Sequence, residues 1–188
     1  PAIAGTALDT STGSYRNRLY LVWPEWNGRR FEIDEAHSTS DWKHWSKHVV
    51  VNDDRSLGNN AIPQVAVNRD GVVAVIWTDR RYSPDNQCYQ LGAAVSFDGG
   101  ETFSPNYVHP HLTCAANPKN LSYAGIDTGD LNAGHLDVLV EPSKNGKWSN
   151  GGDTLGLTAN PDGSFGVAWS YGITGVQQLW YTGFRAQP

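Results

Sequence analysis

Short apolar runs that end in tryptophan recur along this chain after a turn of the form Asn-x-Asp-Gly. The turn at residues 68–71 leads into the run 72–77, and the turn at residues 160–163 leads into the run 164–169. Asp-Gly is a strong hairpin signal, and apolar segments on both sides of it are typical of strands with one or both faces buried. The repeat predicts two copies of one strand–turn–strand unit.

A looser copy opens the chain. Residues 2–4 are a strand candidate, a polar loop follows from 9 to 17, and the next apolar run ends in Trp23. Each copy continues into a third predicted strand, and the first two copies continue into a fourth. The third strands are predicted at 31–38, 89–96 and 176–184, and the fourth strands at 47–51 and 106–109.

Each unit therefore reads as a four-stranded antiparallel sheet, and no helical periodicity of useful length is present. The segment 110–151 is rich in Gly, Asn and Asp and is too long for an ordinary loop, so we interpret it as an insertion. The predicted organisation is a first unit at 1–54, a second at 55–109, the insertion, and an incomplete last unit at 152–188.

The turn at residues 96–103 reads Ser-x-Asp-x-Gly-x-Thr-Phe. The side chain of Asp98 can accept hydrogen bonds from the N–H groups of its own turn. Gly99 and Gly100 can take the positive φ values that a tight hairpin requires. The predicted structural residues of this turn are Ser96, Asp98, Gly100, Thr102 and Phe103.

The first unit has a degenerate version of this turn at residues 38–45. One alignment matches Ser38 and Trp45 but puts Ser40 in the aspartate position. Another uses Thr39, Asp41 and Trp45, as in the turns of five-bladed glycosidase propellers. Both alignments predict a strand–turn–strand closed by an aromatic residue.

Composition limits the classes of partner. The net charge is −5 and there is no basic patch, which argues against nucleic acid. No apolar run approaches the roughly 18 residues of a membrane-spanning helix. The chain has no Met, so we expect a processed or truncated polypeptide. We expect Cys88 and Cys114 to form a disulfide, which favours a secreted, periplasmic or cell-surface location.

Three segments carry a resemblance to a known family. The turn 96–103, the sequence Trp-Thr-Asp-Arg-Arg at 77–81 and the sequence Gly-Asp-Thr-Leu-Gly-Leu at 152–157 resemble the BNR/Asp-box, sialidase-like six-bladed β-propellers. The resemblance covers residues 1–109 and 152–188 and implies an all-β chain that forms the C-terminal half of the ring, with about three four-stranded antiparallel blades. The same turn occurs in sialidases, xyloglucan-active enzymes, sorting receptors and assembly factors, so it indicates the fold more than the activity.

Three blades cannot close a ring, because propellers have about four to eight. We therefore expect a second half-propeller, which could be another chain of a cleaved precursor or a second copy in a two-fold dimer. The remaining alternative is that the sequence is part of a longer chain.

The resemblance implies an active face opposite the Asp-box turns. This face would hold the loops 24–30, 79–86 and 171–175 and the connections 52–60 and 110–153. A sialidase-type site needs arginines for the substrate carboxylate, a Tyr nucleophile activated by Glu, and an Asp acid/base. The implied catalytic candidates are Glu25, Asp79, Tyr82 and Asp153. The implied substrate-binding candidates are Arg29, Arg30, Arg55, Arg80, Arg81, Trp26 and Tyr171.

Structural roles compete with these assignments. Asp79 and Arg80 can form a structural Asp–Arg pair, and the tryptophans that end the second strands are predicted to be core residues. The family's Arg-Ile-Pro motif is absent, since residues 61–63 read Ala-Ile-Pro. No cofactor is required, although Ca²⁺ is possible at a loop. The weak Ca²⁺ candidates are Asp127, Asp130 and Asp137, with Asn132.

Two function classes follow from the sequence. The first is a secreted, glycan-directed glycoside hydrolase of exo-sialidase type. The alternative is a non-catalytic propeller module that binds glycan or protein on the same face. In both, the expected ligand is a carbohydrate or a glycoprotein.

Overall fold

The computed structural model describes residues 4–83, 88–110, 113–114, 155–171 and 178–188, and this part of the chain is all-β. The first sheet has the strand order β1-β2-β3-β4, with strands Gly5–Leu8, Leu19–Trp26, Phe31–His37 and Val49–Val50. The second sheet has the order β5-β6-β7-β8, with strands Ala61–Val67, Val73–Asp79, Cys88–Ser96 and Tyr107–Val108. A short strand β9, Thr113–Cys114, also pairs with β7. The third sheet has the order β10-β11-β12, with strands Leu155–Ala159, Phe165–Tyr171 and Gln178–Phe184.

The first and second sheets pack face to face. Alternate residues of a strand point to opposite faces, so Tyr20 and Val22 of β2 share one face of the first sheet. They form one apolar cluster with Val75 and Trp77 of β6, and all four side chains are fully buried. Burial of each such side chain stabilises the fold by roughly 1.5–3 kcal/mol. This cluster fixes the relative position of the first two sheets.

The second and third sheets pack in the same way. Ile76 and Leu91 lie on the opposite face of the second sheet and form a cluster with Val167 and Trp169 of β11. The first strands of successive sheets are also neighbours, because β5 contacts β1 on one side and β10 on the other. Successive antiparallel sheets packed face to face are the arrangement of consecutive propeller blades. The all-β, partial-propeller prediction is confirmed.

The hairpin turns lie at one end of the sheets, which we call the turn face, and they join neighbouring sheets. The guanidinium of Arg18, after the first turn, donates to the carbonyl of Gly99 in the second sheet at 2.8 Å. The amide of Asn68 donates to the carbonyl of Gly163 in the third sheet at 2.7 Å. These contacts tie each sheet to the next at the turns as well as through the cores.

The turn 96–103 has the predicted hydrogen bonds. The carboxylate of Asp98 accepts from the backbone N–H of Thr102 at 2.9 Å and from its hydroxyl at 2.6 Å. The hydroxyl of Ser96 accepts from the N–H of Gly100 at 2.9 Å. Gly99 and Gly100 have φ values of 72° and 95°. Phe103 packs against the first apolar cluster.

Some sequence-based expectations were wrong in detail. The described part of the first strand is Gly5–Leu8, and residues 2 and 3 of the strand predicted at 2–4 lie outside the described residues. In the turn 38–45, the carboxylate of Asp41 accepts from Thr39 and from the N–H of Lys43, so the second of the two alignments describes it. Trp23 was expected in the core but is half-buried, because none of the sheets formed by the described residues packs on its side of the first sheet.

Candidate functional site

The loops between second and third strands lie at the end of the sheets opposite the turns, and we call this end the loop face. In the first sheet the loop is only residues 27–30, shorter than the predicted 24–30. The strands run on to Trp26 and resume at Phe31, with Trp26 opposite Phe31 in register. Gly28 has a φ of 93° and permits this tight connection. Glu25 and Trp26 therefore stand on a strand.

Arg30 forms a buried ion pair with Asp54 and has a structural role. Its guanidinium donates to the carboxylate of Asp54 at 2.6 Å and to the carbonyl of Ser56 at 2.6 Å, and its side chain is almost fully buried. Burial opposes ionisation of Asp54, but hydrogen bonds from Ser56 and Asn52, together with the charge of Arg30, lower the pKa of Asp54. This buried pair anchors the connection 51–60 beneath the loop.

Both carboxylate oxygens of Asp79 also accept hydrogen bonds from neighbouring residues. One carboxylate oxygen accepts from the backbone N–H of Arg81 at 2.9 Å, and the other accepts from the indole N–H of Trp77 at 3.0 Å and from Arg81 Nη2 at 2.7 Å. Asp79 is fully buried. A carboxylate enclosed in this way holds the end of β6 in place and offers no free oxygen to a sugar.

Arg81 extends this contact to the neighbouring connections. Its Nη1 donates to Asp53 at 3.1 Å, and its Nη2 donates to the side-chain oxygen of Asn106 at 3.1 Å. The backbone N–H of Asn106 in turn donates to Asp53 at 2.9 Å. The positive charge of Arg81 is neutralised by two carboxylates, so this arginine has a structural role.

Arg80 differs from these two arginines. Among the described residues, no carboxylate lies within ion-pair distance of its guanidinium, and its Nε is buried without a hydrogen-bond partner. Burial lowers the pKa of Arg80, and the phenol of Tyr89 opposes that change. The backbone of Arg80 packs closely against Gly58, since a Cβ added to Gly58 would lie 1.9 Å from the carbonyl oxygen of Arg80. The result is a positioned, partly desolvated cation that lacks a counter-ion in the described structure.

Aromatic side chains lie at the same end of the sheets. The rings of Trp26 and Phe31 are 5.2 Å apart and tilted by 59°, and both are exposed. Tyr82 follows Arg81 and is exposed. Exposed aromatic faces of this kind suit stacking against the apolar faces of sugar rings. Glu25 is exposed and accepts from the indole N–H of Trp23 at 2.8 Å.

The remaining predicted residues divide into exposed and undescribed groups. Arg29 and Arg55 are exposed on the loop face, and no described carboxylate pairs with either. Asp153, the side chain of Tyr171 and the Ca²⁺ candidates Asp127, Asp130 and Asp137 lie outside the described residues. Within the described ranges, no three His, Cys, Asp or Glu side chains are grouped to hold a metal ion. In the same ranges, no helix is long and apolar enough to cross a bilayer.

Cys88 and Cys114 lie directly opposite each other where β7 pairs with β9. The backbone therefore brings the two residues together, and the disulfide between them stays a prediction. Such a bond would fix the beginning of the segment after residue 109 to the second sheet.

Sequence reasoning missed two features of this face. Phe31 was read only as the start of a strand, and its pairing with Trp26 across a four-residue loop differs from the two-residue hairpin, with Trp26 opposite Arg29, that Asn-Gly at residues 27–28 would predict. The structural pair predicted between Asp79 and Arg80 was wrong in its arginine, because Arg81 contacts Asp79. The alternation of side chains along a strand that ends at Asp79 could have put Arg81 on the same side as Asp79 and Trp77, and Arg80 on the other.

Comparison with known proteins places the fold. No family model matches the chain, and no curated protein matches it. Among solved structures, the chain is similar to the Hadza microbial sialidase Hz136, with 16% identity and a TM-score of 0.54 over 96% of this chain and 34% of the sialidase. It also aligns with a leech intramolecular trans-sialidase, with 12% identity and a TM-score of 0.44 over 98% of this chain and 32% of the other.

The chain thus spans about a third of the length of these two structures. At such low identity, the similarity to Hz136 establishes a sialidase-like fold and nothing further about this chain's chemistry.

Proposed function

We propose that this chain is part of a secreted or cell-surface, glycan-directed propeller, and most concretely of a glycoside hydrolase of exo-sialidase type. Its ligand would be a carbohydrate or glycoprotein that carries a carboxylate. A second half-propeller, from another copy or from another chain of a cleaved precursor, would complete the ring. The observation that carries the ligand proposal is that Arg80 Nε is buried without a hydrogen-bond partner.

The argument rests on charge. An arginine that has lost water around Nε and has no carboxylate beside it gains most from an anionic ligand. A sugar carboxylate matches the planar guanidinium and can accept two parallel hydrogen bonds from it. Arg30 and Arg81 cannot bind a ligand carboxylate in this way, because Arg30 is already paired with Asp54 and Arg81 is already paired with Asp79. Trp26 and Phe31 would add an aromatic surface for a neighbouring sugar ring.

Binding of a sialylated sugar tests this assignment. We would titrate the protein with 3′-sialyllactose and with lactose by calorimetry, and repeat both titrations with Arg80→Gln. Arg69→Gln is the matched control, since Arg69 is an exposed arginine of the turn face. We expect a preference for the sialylated sugar that Arg80→Gln loses and Arg69→Gln keeps. An equal response to both sugars, or an unchanged preference in Arg80→Gln, would refute the ligand proposal.

The second candidate is a non-catalytic module that binds glycan or protein on the loop face. It is favoured by the enclosure of Asp79, which removes one implied acid/base from solvent. For catalysis, the candidates are the exposed carboxylate of Glu25 and the exposed phenol of Tyr82 on the loop face, with Asp153 as a third candidate.

Turnover separates the two candidates. We would measure hydrolysis of a fluorogenic sialoside by the protein and by Tyr82→Phe and Glu25→Gln, with sugar binding measured in parallel. Loss of turnover with binding retained supports the hydrolase. Sugar binding without turnover in the unsubstituted protein supports the binding module.

A further inference from the structure

The connection between the first and second sheets, residues 51–60, lies directly against the backbone of Arg80. Gly58 is buried in this connection. A Cβ added to Gly58 would lie 1.9 Å from the carbonyl oxygen of Arg80, 2.4 Å from its carbonyl carbon and 3.2 Å from its Cβ. Glycine permits this close approach of two backbone segments, and a larger residue does not. The position of Arg80 therefore depends on that of the connection.

The peptide of Arg80 is also held from its other side. Its carbonyl oxygen accepts from the backbone N–H of Ser83 at 2.9 Å, in the turn that follows β6. The hydroxyl of Ser83 accepts in turn from the N–H of Cys88, at the beginning of β7, at 2.9 Å. A side chain at residue 58 would therefore have to displace the connection or disturb this turn together with Arg80.

A buried ion pair holds the connection next to Gly58. The guanidinium of Arg30 donates to Asp54 Oδ2 and to the carbonyl oxygen of Ser56, both at 2.6 Å. Asp54 Oδ2 also accepts from the hydroxyl of Ser56 at 2.7 Å, and that hydroxyl accepts from the N–H of Gly58 at 3.2 Å. A continuous series of hydrogen bonds thus runs from Arg30 in the loop of the first sheet to the glycine that contacts Arg80.

Arg81 holds an earlier residue of the same connection. Its Nη1 donates to the carboxylate of Asp53 at 3.1 Å. The backbone N–H of Asp53 donates to the side-chain oxygen of Asn106 at 2.7 Å. The second sheet therefore fixes the connection at Asp53, and the first sheet fixes it at Asp54. The two neutralised arginines of the loop face both hold the segment against which Arg80 packs.

We propose that the hydrogen bonds from Arg30 to Gly58 position Arg80 for its ligand. Arg30 and Gly58 are then positioning residues, which act on the ligand only through Arg80. A guanidinium and a carboxylate form two parallel hydrogen bonds only when they are aligned, so a displaced Arg80 would bind a carboxylate more weakly. The effect on affinity rests on the proposed glycan ligand, whereas the positioning of Arg80 can be measured without sugar.

Substitutions in the connection test the proposal and leave Arg80 itself unchanged. Gly58→Ala adds the carbon that the backbone of Arg80 excludes. Ser56→Ala removes the hydroxyl that joins Gly58 to Asp54, and Ser56→Thr is its control because it keeps a hydroxyl. Gly156→Ala is the control for the added methyl group, since the nearest atom outside its chain neighbours would be 3.6 Å away.

The first measurement is the Nε–H resonance of Arg80, recorded by NMR without sugar. We expect it to shift in Gly58→Ala and Ser56→Ala and to stay in place in Ser56→Thr and Gly156→Ala. The second measurement is the affinity for 3′-sialyllactose relative to lactose. We expect the affinity for the sialylated sugar to fall by about tenfold or more in Gly58→Ala, because hydrogen bonds to charged groups are among the strongest.

Far-UV circular dichroism would verify that each variant is folded, and the Ser56 variants decide the question if Gly58→Ala does not fold. An Arg80 resonance that stays in place in every folded connection variant would overturn the inference. A sugar preference that Arg80→Gln loses and both Gly58→Ala and Ser56→Ala retain would also overturn it. A shifted resonance in a protein that binds neither sugar would support the positioning and remove only the ligand proposal.

Discussion

His37 Nδ1 lies 3.3 Å from Glu35 Oε1 inside the first sheet, and His37 Nε2 lies 3.2 Å from Glu101 Oε1 in the turn of the second sheet. Glu35 is fully buried, and burial, followed by the charge of Glu101, raises the pKa of Glu35 to about 8. A protonated Glu35 donates to Nδ1, which leaves the proton on Nε2 for the Glu101 carboxylate. One chain of hydrogen bonds therefore joins the two sheets.

This arrangement predicts that the contribution of Glu35 to stability falls as the pH rises from 4.5 to about 8. The folded protein holds the Glu35 proton above pH 4.5, where the unfolded chain begins to lose it. The stabilisation is complete below pH 4.5 and is lost as the pH rises through about 8, and it amounts to a few kcal/mol at most. Glu35→Gln keeps a donor for Nδ1 but does not titrate. We expect its free energy of unfolding in urea to vary less over this range.

The control for this measurement is Glu25→Gln, which removes an exposed carboxylate. His37 acts in the opposite direction, since burial, with the nearby charge of Arg18, lowers its pKa. Its contribution is present above the ordinary value of 6.5 and is lost at lower pH, so it should persist in Glu35→Gln. Parallel pH profiles for the unsubstituted protein and Glu35→Gln would contradict the account.

Gly100 allows the second sheet's turn to approach this pair. A Cβ at this position would lie 2.8 Å from His37 Nδ1 and 2.9 Å from Glu35 Oε1, and its φ is 95°. We expect Gly100→Ala to lower the free energy of unfolding by about 2–4 kcal/mol, from backbone strain plus overpacking. Gly28→Ala is the matched control, because Gly28 has a φ of 93° and no atom within 4 Å of the added carbon. Equal losses in the two variants would show that the close approach does not contribute.

We predict that Asp79 contributes to the stability of the folded protein. Asp79→Asn removes the charge that Arg81 and Trp77 contact in a buried site, so we expect a loss of about 3–5 kcal/mol in urea unfolding. Asp53→Asn removes the other, exposed partner of Arg81 and should cost less than about 1 kcal/mol. A folded Asp79→Asn protein with unchanged stability would argue against this structural role.

The opposed positions of Cys88 and Cys114 predict a disulfide under oxidising conditions. Alkylation before reduction should label neither cysteine, and alkylation after reduction should label both, as read by intact-mass spectrometry. Labelling of both cysteines without reductant would exclude the bond and weaken the argument for an oxidising compartment.

Local signals predicted the fold well. The glycines and Asp98 of the turn 96–103 act within a few residues of one another, so their hydrogen bonds could be predicted from their spacing alone. The ends of strands could not be predicted as closely. The run of β2 through Pro24 to Trp26 depends on pairing with β3, and that register is a property of two strands.

The site was harder to predict because its charges are shared between distant segments. Arg30 meets Asp54 and Arg81 meets Asp53 across 24 and 28 residues, contacts that no local pattern shows. Sequence alone could list the arginines of the loop face, but it could not say which were already neutralised. Trp23 failed as a core prediction for a related reason, since burial of a strand residue depends on another sheet packing on its face, and none of the described sheets packs on the Trp23 face.

The most direct test of the central claim follows the side chain of Arg80 itself. We would record the Nε–H resonances of arginine by NMR, assign that of Arg80 from its absence in Arg80→Lys, and titrate the protein with N-acetylneuraminic acid. The account predicts a saturable shift of the Arg80 signal, with those of Arg30 and Arg81 little changed because Asp54 and Asp79 hold them. An Arg80 signal that stays in place while the sugar is added would contradict the claim that this arginine binds the carboxylate of a glycan.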